Sequence, residues 1–211
     1  MIFNPKAMAN YLMILIFAIC GVRNDKADLS PASPEFPFLK AGNEWHFRMK
    51  TSQTPSPLEV IYKILSIRDD GYIEVENSFA GIGSEKIYWY ADKTEFSEIA
   101  SPEDNYKLTL IKVNPILNDT WSSTIEEEGK TMVYTRTVVS LNESIQLPGK
   151  SFAKDCVKIH ETMSAYPQYY KDIWISRSFG MVYIKGKGYI EEDGGPPQYF
   201  DLEYVLISKS F

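Results

Sequence analysis

The sequence predicts an all-β domain of about ten to twelve antiparallel strands with little helix. Aromatic residues make up 14% of the chain, and aromatic and β-branched side chains favour pleated, half-buried surfaces. Apolar and polar residues alternate with a period of two, while turn signals recur about every ten residues. With 211 residues, 44% of them hydrophobic, the chain can bury a sizeable core, which favours a single domain.

The first half of the domain contains the clearest strand signals. Trp45, Phe47 and Met49 alternate with polar neighbours, which predicts a strand with one buried face. The runs 58–67 and 72–79 flank Asp69-Asp70-Gly71, a typical hairpin pattern. The next predicted strand, 85–91, carries aromatic residues on both faces.

The second half is less regular. We expect 96–105 to be irregular, with one helical turn at most near Ser101, where an N-cap residue precedes Pro and two acids. Glycines 186 and 188 interrupt the pattern after Ile184. Further strands are expected at 108–113, from Trp121, and over 132–141, 155–164, 168–176, 181–184 and 200–208.

The N-terminus has the pattern of an export signal. Tyr11–Ile19 is an unbroken apolar run, shorter than the roughly 20 residues that span a bilayer as a helix. We therefore expect a signal peptide over 1–19, a lipidated Cys20 at the head of a flexible tether over 20–35, and one β domain over 36–211. An uncleaved anchor, a buried strand, cleavage without lipidation and a Cys20–Cys156 disulfide are the alternatives.

Two stretches resemble exported bacterial lipoproteins of unassigned function. Phe36-Pro37-Phe38-Leu39, with Gly42 and Trp45, is similar to their FPL-x-x-G-x-x-W opening. The segment 147–184 is similar to their later signature, a Pro/Gly turn followed by Phe, Cys and an aromatic strand ending in Gly-x-Val. The resemblance implies a strongly curved antiparallel sheet, a half-barrel or clam-like form, in the cell envelope, and it supplies no catalytic residues.

Charge and residue types argue against several functions. The net charge of −6 disfavours nucleic acid, which requires a positive field. His46 and His160 are isolated on polar faces, and a zinc site needs several converging ligands, so we expect no metal, no cofactor and no catalytic residue. An acidic turn at 191–193 is a weak calcium candidate. Cys156 is interpreted as a small core residue.

The aromatic strands are the remaining candidates for a binding surface. Tyr88 with Tyr90, and Tyr170 with Trp174, occupy alternate positions that would form a second, non-core face. Packing beneath loops is the simpler explanation. The sequence thus predicts a membrane-tethered binding or scaffolding domain, with the lipid anchor, a hydrophobic small molecule and an envelope protein as expected partners. A carrier of a hydrophobic ligand and an atypical carboxylate hydrolase are the alternatives.

Overall fold

A computed structural model describes residues 33–99, 101–102, 107–127, 130–191 and 195–211. The predicted signal peptide, Cys20 and most of the predicted tether lie outside this part. The described residues form an all-β domain, and they include no helix of the length and apolarity that a membrane crossing needs. The strands are β1 Glu44–Thr51, β2 Leu58–Ile67, β3 Tyr72–Phe79, β4 Gly83–Ala91, β5 Glu95–Ile99, β6 Leu108–Lys112, β7 Thr120–Glu127, β8 Lys130–Gln146, β9 Phe152–Met163, β10 Tyr170–Ser176, β11 Gly180–Ile190 and β12 Gln198–Ser210.

The strands make one sheet that curls into a nearly closed barrel. Their order is β6-β5-β4-β3-β2-β1-β12-β11-β10-β9-β8-β7, and neighbouring strands in this order are antiparallel. The curved antiparallel sheet predicted from the family resemblance is therefore confirmed. The edge strands β6 and β7 meet through side chains, because the backbone carbonyl of Thr109 accepts the indole N–H of Trp121 at 2.8 Å and a guanidinium N–H of Arg136.

Most strand predictions are confirmed, and two are wrong. Residues 95–99 form β5 rather than irregular chain, since Phe96 is buried in the core and the strand pairs with both β4 and β6. Strand β11 also continues through Gly186 and Gly188. A Cβ at Gly186 would lie 2.1 Å from the carbonyl oxygen of Tyr170, so these glycines permit close packing instead of ending the strand.

Residues 33–42 close one end of the barrel, here called the proximal end, where β1 begins and β12 ends. Phe38 is 3% exposed and packs edge-on against Trp45 and Phe96, with ring centroids 6.3 and 5.9 Å away. Gly180 has a φ of +73°, and a Cβ there would lie 2.9 Å from the Phe38 ring. The Ser33 hydroxyl donates to the Asp92 carbonyl at 2.9 Å, so packing begins three residues before the predicted start of the domain.

The interior contains two apolar clusters. The larger surrounds Trp45, Phe47 and Ile159 and reaches the opposite, distal ends of β1 and β12 through Met49 and Phe200. The smaller lies at the distal ends of β6 to β9 around Met132 and Tyr134. On β8, β9 and β10, charged side chains lie between the two clusters.

Candidate functional site

Charged residues on three neighbouring strands project into the barrel at one level. Arg136 follows Tyr134 and precedes Val138 along the inward face of β8. Glu161 occupies the same level on β9, and Lys171 is its direct partner on β10. Together with Glu98 of β5, these residues form what we call the polar layer. Its charges balance in number, with two acids and two bases.

Ion pairs and hydrogen bonds hold the layer together. The side chains of Arg136 and Glu161, 3% and 1% exposed, form a direct ion pair. The Tyr169 hydroxyl donates to the Glu161 carboxylate at 2.5 Å, and the Lys171 ammonium lies 3.9 Å from it. Burial would raise the pKa of Glu161, but these neighbours hold that pKa below its ordinary value. Glu161 is thus an ionised, ion-paired carboxylate that is 1% exposed, although its Oε2 accepts no hydrogen bond from the described residues.

Glu98 differs from Glu161 because it lines a small internal cavity. Aromatic side chains supply much of the cavity wall, among them Trp45, Tyr62 and Trp89. The cavity offers about 20 Å³ to water-sized molecules, enough for one or two waters. The buried indole N–H of Trp89 has no hydrogen-bond partner among the described residues. Burial raises the pKa of Glu98 above its ordinary value, despite the opposing effect of Arg136 and Lys171.

Because its pKa is raised, Glu98 is expected to destabilise the folded state at high pH, where its carboxyl group is ionised. A carboxyl group with a higher pKa in the folded state contributes most stability below its unfolded-state pKa, near 4.5, and loses that contribution as the pH rises through the folded-state value. We expect Glu98→Gln to be more stable than wild type at pH 8, with a smaller difference at pH 4.5, in urea unfolding. Glu126→Gln, on the exposed surface, is the control. A pH-independent effect of Glu98→Gln would contradict this.

The predicted aromatic residues Tyr170 and Trp174 lie on the outer wall of the barrel. Trp174 is 7% exposed because other side chains cover it. Its indole N–H donates to Glu143 at 2.5 Å, its ring lies 4.9 Å from the Tyr183 ring, and the Lys158 ammonium is 4.7 Å from its centroid. We call this group the wall strip. It consists of Trp174, Glu143, Tyr183, Lys158 and Tyr170, together with His160 and Asp172 beside them.

The wall strip continues through charged neighbours. His160 stacks against Tyr170 with ring centroids 5.9 Å apart. Its Nδ1 lies 2.7 Å from a carboxylate oxygen of Asp172, and the other oxygen of Asp172 is 3.1 Å from the Lys158 ammonium. The strip therefore combines flat rings with fixed charges, which suits recognition of a polar partner better than uptake of a lipid.

The other predicted pair, Tyr88 and Tyr90, is also on the outer face, but five strands lie between β4 and β10. The Tyr90 hydroxyl donates to Asp92 at 3.0 Å, and the Lys107 ammonium lies 3.5 Å from its ring centroid. Burial and the bond to Asp92 raise the pKa of Tyr90 to about 12. The structure therefore does not bring the two predicted pairs into one site.

The contacts of Cys156, His46 and Glu191 indicate structural roles for these residues. The Cys156 thiol is free and wholly buried, and burial raises its pKa to about 11, which keeps it protonated. His46 contacts Glu59 at 2.8 Å on the outer face. Glu191, in the predicted acidic turn, contacts the Lys130 ammonium at 2.5 Å and accepts the Tyr166 hydroxyl at 2.6 Å. Among the described residues, no group of His, Cys, Asp and Glu could hold a metal ion.

The polar layer was not predicted from the sequence, although the sequence contains charged residues at positions that alternation assigns to the core. Arg136, Glu161 and Lys171 each occupy an inward position in a strand whose inward neighbours two residues away are apolar or aromatic. In a sequence, a single charge at such a position commonly marks the end of a strand or an error in the assumed register. Recognising three as one feature requires the strand order, because only the register places Glu161 beside Lys171.

Sequence comparisons identify no family model and no curated protein that matches this chain. A search of solved structures finds similarity to two. One is a provisionally described exported protein with a YmcC-like fold from Bacteroides fragilis, with a TM-score of 0.52 and 12% identity, covering 88% of this chain and 100% of that chain. The other is a provisionally described lipoprotein from Parabacteroides distasonis, with a TM-score of 0.46 and 13% identity, covering 89% and 100%. The first of these likenesses shows a shared fold.

Proposed function

We propose that this chain is an exported, lipid-tethered protein of the bacterial cell envelope whose β domain binds or scaffolds and does not catalyse. One observation carries the proposal. The apolar run Tyr11–Ile19 ends at Cys20, and the chain then enters the barrel at Ser33 through a segment that packs into its proximal end. This order is what a short anchor joined to a folded domain requires. The Bacteroides fragilis structure with the same fold is described as an exported protein, which agrees with it.

The wall strip is the surface that we assign to partner binding. The half-buried rings of Tyr170 and Tyr183 and the charges held by their neighbours need little reordering when a partner docks, so less conformational entropy is lost on binding. We infer an envelope protein as the partner class, since charged groups alternate with rings along the strip. We assign the polar layer a structural role, because the Glu161 carboxylate is 1% exposed and paired with Arg136, which leaves it inaccessible to a substrate.

The interior of the barrel gives less support to the alternative that this domain carries a hydrophobic ligand. The cavity beside Glu98 has about 20 Å³ open to water-sized molecules, whereas pockets for small organic ligands usually measure some hundreds of Å³. A lipid would need the barrel to open at the seam between β6 and β7. The described contacts at that seam instead tie the edges together through Thr109.

Metabolic labelling with a palmitate analogue tests the tether. We expect the wild-type chain to be labelled and to fractionate with membranes. Cys20→Ala should lose the label and at least tenfold of its membrane-bound fraction, because a buried acyl chain supplies the attachment. Cys156→Ala is the matched control and should keep both. An unlabelled wild type, or unchanged labelling of Cys20→Ala, would contradict the proposal.

A further inference from the structure

The exposed apolar side chains of the barrel gather around its proximal end. Of the large hydrophobic residues exposed among those described, only Ile82 lies at the distal end and only Val139 lies on the wall between. The others lie in proximal connections or within three residues of the proximal end of a strand: Leu65, Ile116, Leu117, Phe152, Ile207 and Phe211. Such a concentration is unusual for a surface that faces water alone.

These side chains are distributed around the rim instead of along one wall. Leu65 belongs to β2, Ile207 to β12 and Phe152 to β9, while Ile116 and Leu117 precede β7. In the strand order these positions run from one side of the barrel to the other. A flat surface lying across the proximal end would therefore contact them together, whereas a partner on one wall would reach few of them.

The tether reaches the barrel at this same end. Ser33 is held at the β4–β5 connection by its bond to Asp92, and residues 21–32 separate it from Cys20. A flexible segment of that length spans about 20 Å. Strand β11 has 11 residues and is about 36 Å long. A lipid on Cys20 would thus keep the proximal end near the bilayer, while turning the distal end toward it would require a tether stretched beyond that span.

Charge favours the same orientation. Glu126, near the distal end of β7, and Glu191, directly after the distal end of β11, belong to the acidic runs 126–128 and 191–193 of the sequence. Anionic lipid surfaces, including those of bacterial membranes, repel clusters of acidic residues. Among the described residues, exposed bases at the proximal end outnumber exposed acids, so no comparable repulsion arises there. The bases are Lys40, Arg68, Lys93, Lys154, Arg177 and Lys209, and the acids are Glu35, Asp69, Asp70 and Asp155.

We propose that the proximal end of the barrel rests on the membrane, with the rim side chains around Leu117 and Phe152 entering the lipid interface. This inference rests on the proposed tether and goes beyond it, since a tether alone would leave the domain free to tumble. The wall strip would then stand beside the membrane and the acidic distal end would point away from it.

An environment-sensitive probe on single cysteines tests this orientation in the full lipidated chain. Probes are attached at Leu117→Cys and Phe152→Cys, with Ile82→Cys as the distal control, since all three side chains are exposed and Cys156 is wholly buried. In vesicles containing brominated acyl chains, we expect at least twofold quenching and a blue shift of both proximal probes, and no change at Ile82.

The outcomes separate the two proposals. If the chain floats with vesicles but the Ile82 probe is quenched, or no probe is, the orientation is overturned and the tether stands. If the proximal probes are quenched only when vesicles are present, the orientation is supported. If the lipidated chain does not float with vesicles, the tether fails, and the membrane-facing rim is rejected with it.

Discussion

Replacing Arg136 with methionine is expected to lower the free energy of unfolding by about 3–5 kcal/mol. The substitution keeps most of the side-chain volume but removes the direct ion-pair partner of the Glu161 carboxylate, which is 1% exposed and retains only Lys171, 3.9 Å away, as a basic neighbour. It also removes a donor to the Thr109 carbonyl, which helps to join β6 to β7. Equilibrium urea unfolding followed by tryptophan fluorescence measures the change.

Two controls make this result specific. Arg68 also pairs with an acid, Asp70, at 2.7 Å, but its side chain is 56% exposed, so Arg68→Met should cost about 1 kcal/mol or less. The double variant Arg136→Met/Glu161→Gln should recover at least about 1 kcal/mol relative to Arg136→Met, because the uncompensated charge is gone. If the double variant is less stable than the single one, an unpaired charge is not the cause of the loss.

Replacing Phe38 with alanine is expected to cost about 3–5 kcal/mol. Phe38 is 3% exposed between Trp45, Phe96 and Gly180, so its removal leaves a cavity at the proximal end. The loss would show that the segment before β1 is part of the barrel core. The same urea titration gives the value.

Phe152→Ala is the matched control for this experiment. Phe152 is the same residue type but is 52% exposed, so its replacement should change the unfolding free energy by only about 0.5 kcal/mol. A similar cost for the two alanine variants would mean that the proximal segment does not pack as described.

The sequence predicts local pairing well and long-range closure poorly. The bounds of β2 and β3 follow from period-two alternation around Asp69-Asp70-Gly71, and the structure has the same bounds. Closure of the barrel depends on Thr109 accepting hydrogen bonds from Trp121 and Arg136, which no local pattern encodes. The missed strand β5 has the same origin, since its short segment becomes a strand by pairing with β4 and β6.

The candidate binding residues show the same division. Alternation puts Tyr170 and Trp174 on the same face of one strand, and both residues belong to β10. It cannot show that Lys158 and Glu143 cover Trp174, nor that five strands separate it from Tyr90, because both depend on register and strand order. The binding role of these four aromatic residues stays a prediction.

In the proposed function, a lipid on Cys20 holds this barrel at a membrane. The decisive test is the intact mass of the wild-type protein, extracted from membranes in detergent and fragmented from its N-terminus. We expect a chain that begins at Cys20 and carries lipid on that residue. A chain that begins elsewhere, or an unmodified Cys20, would contradict it.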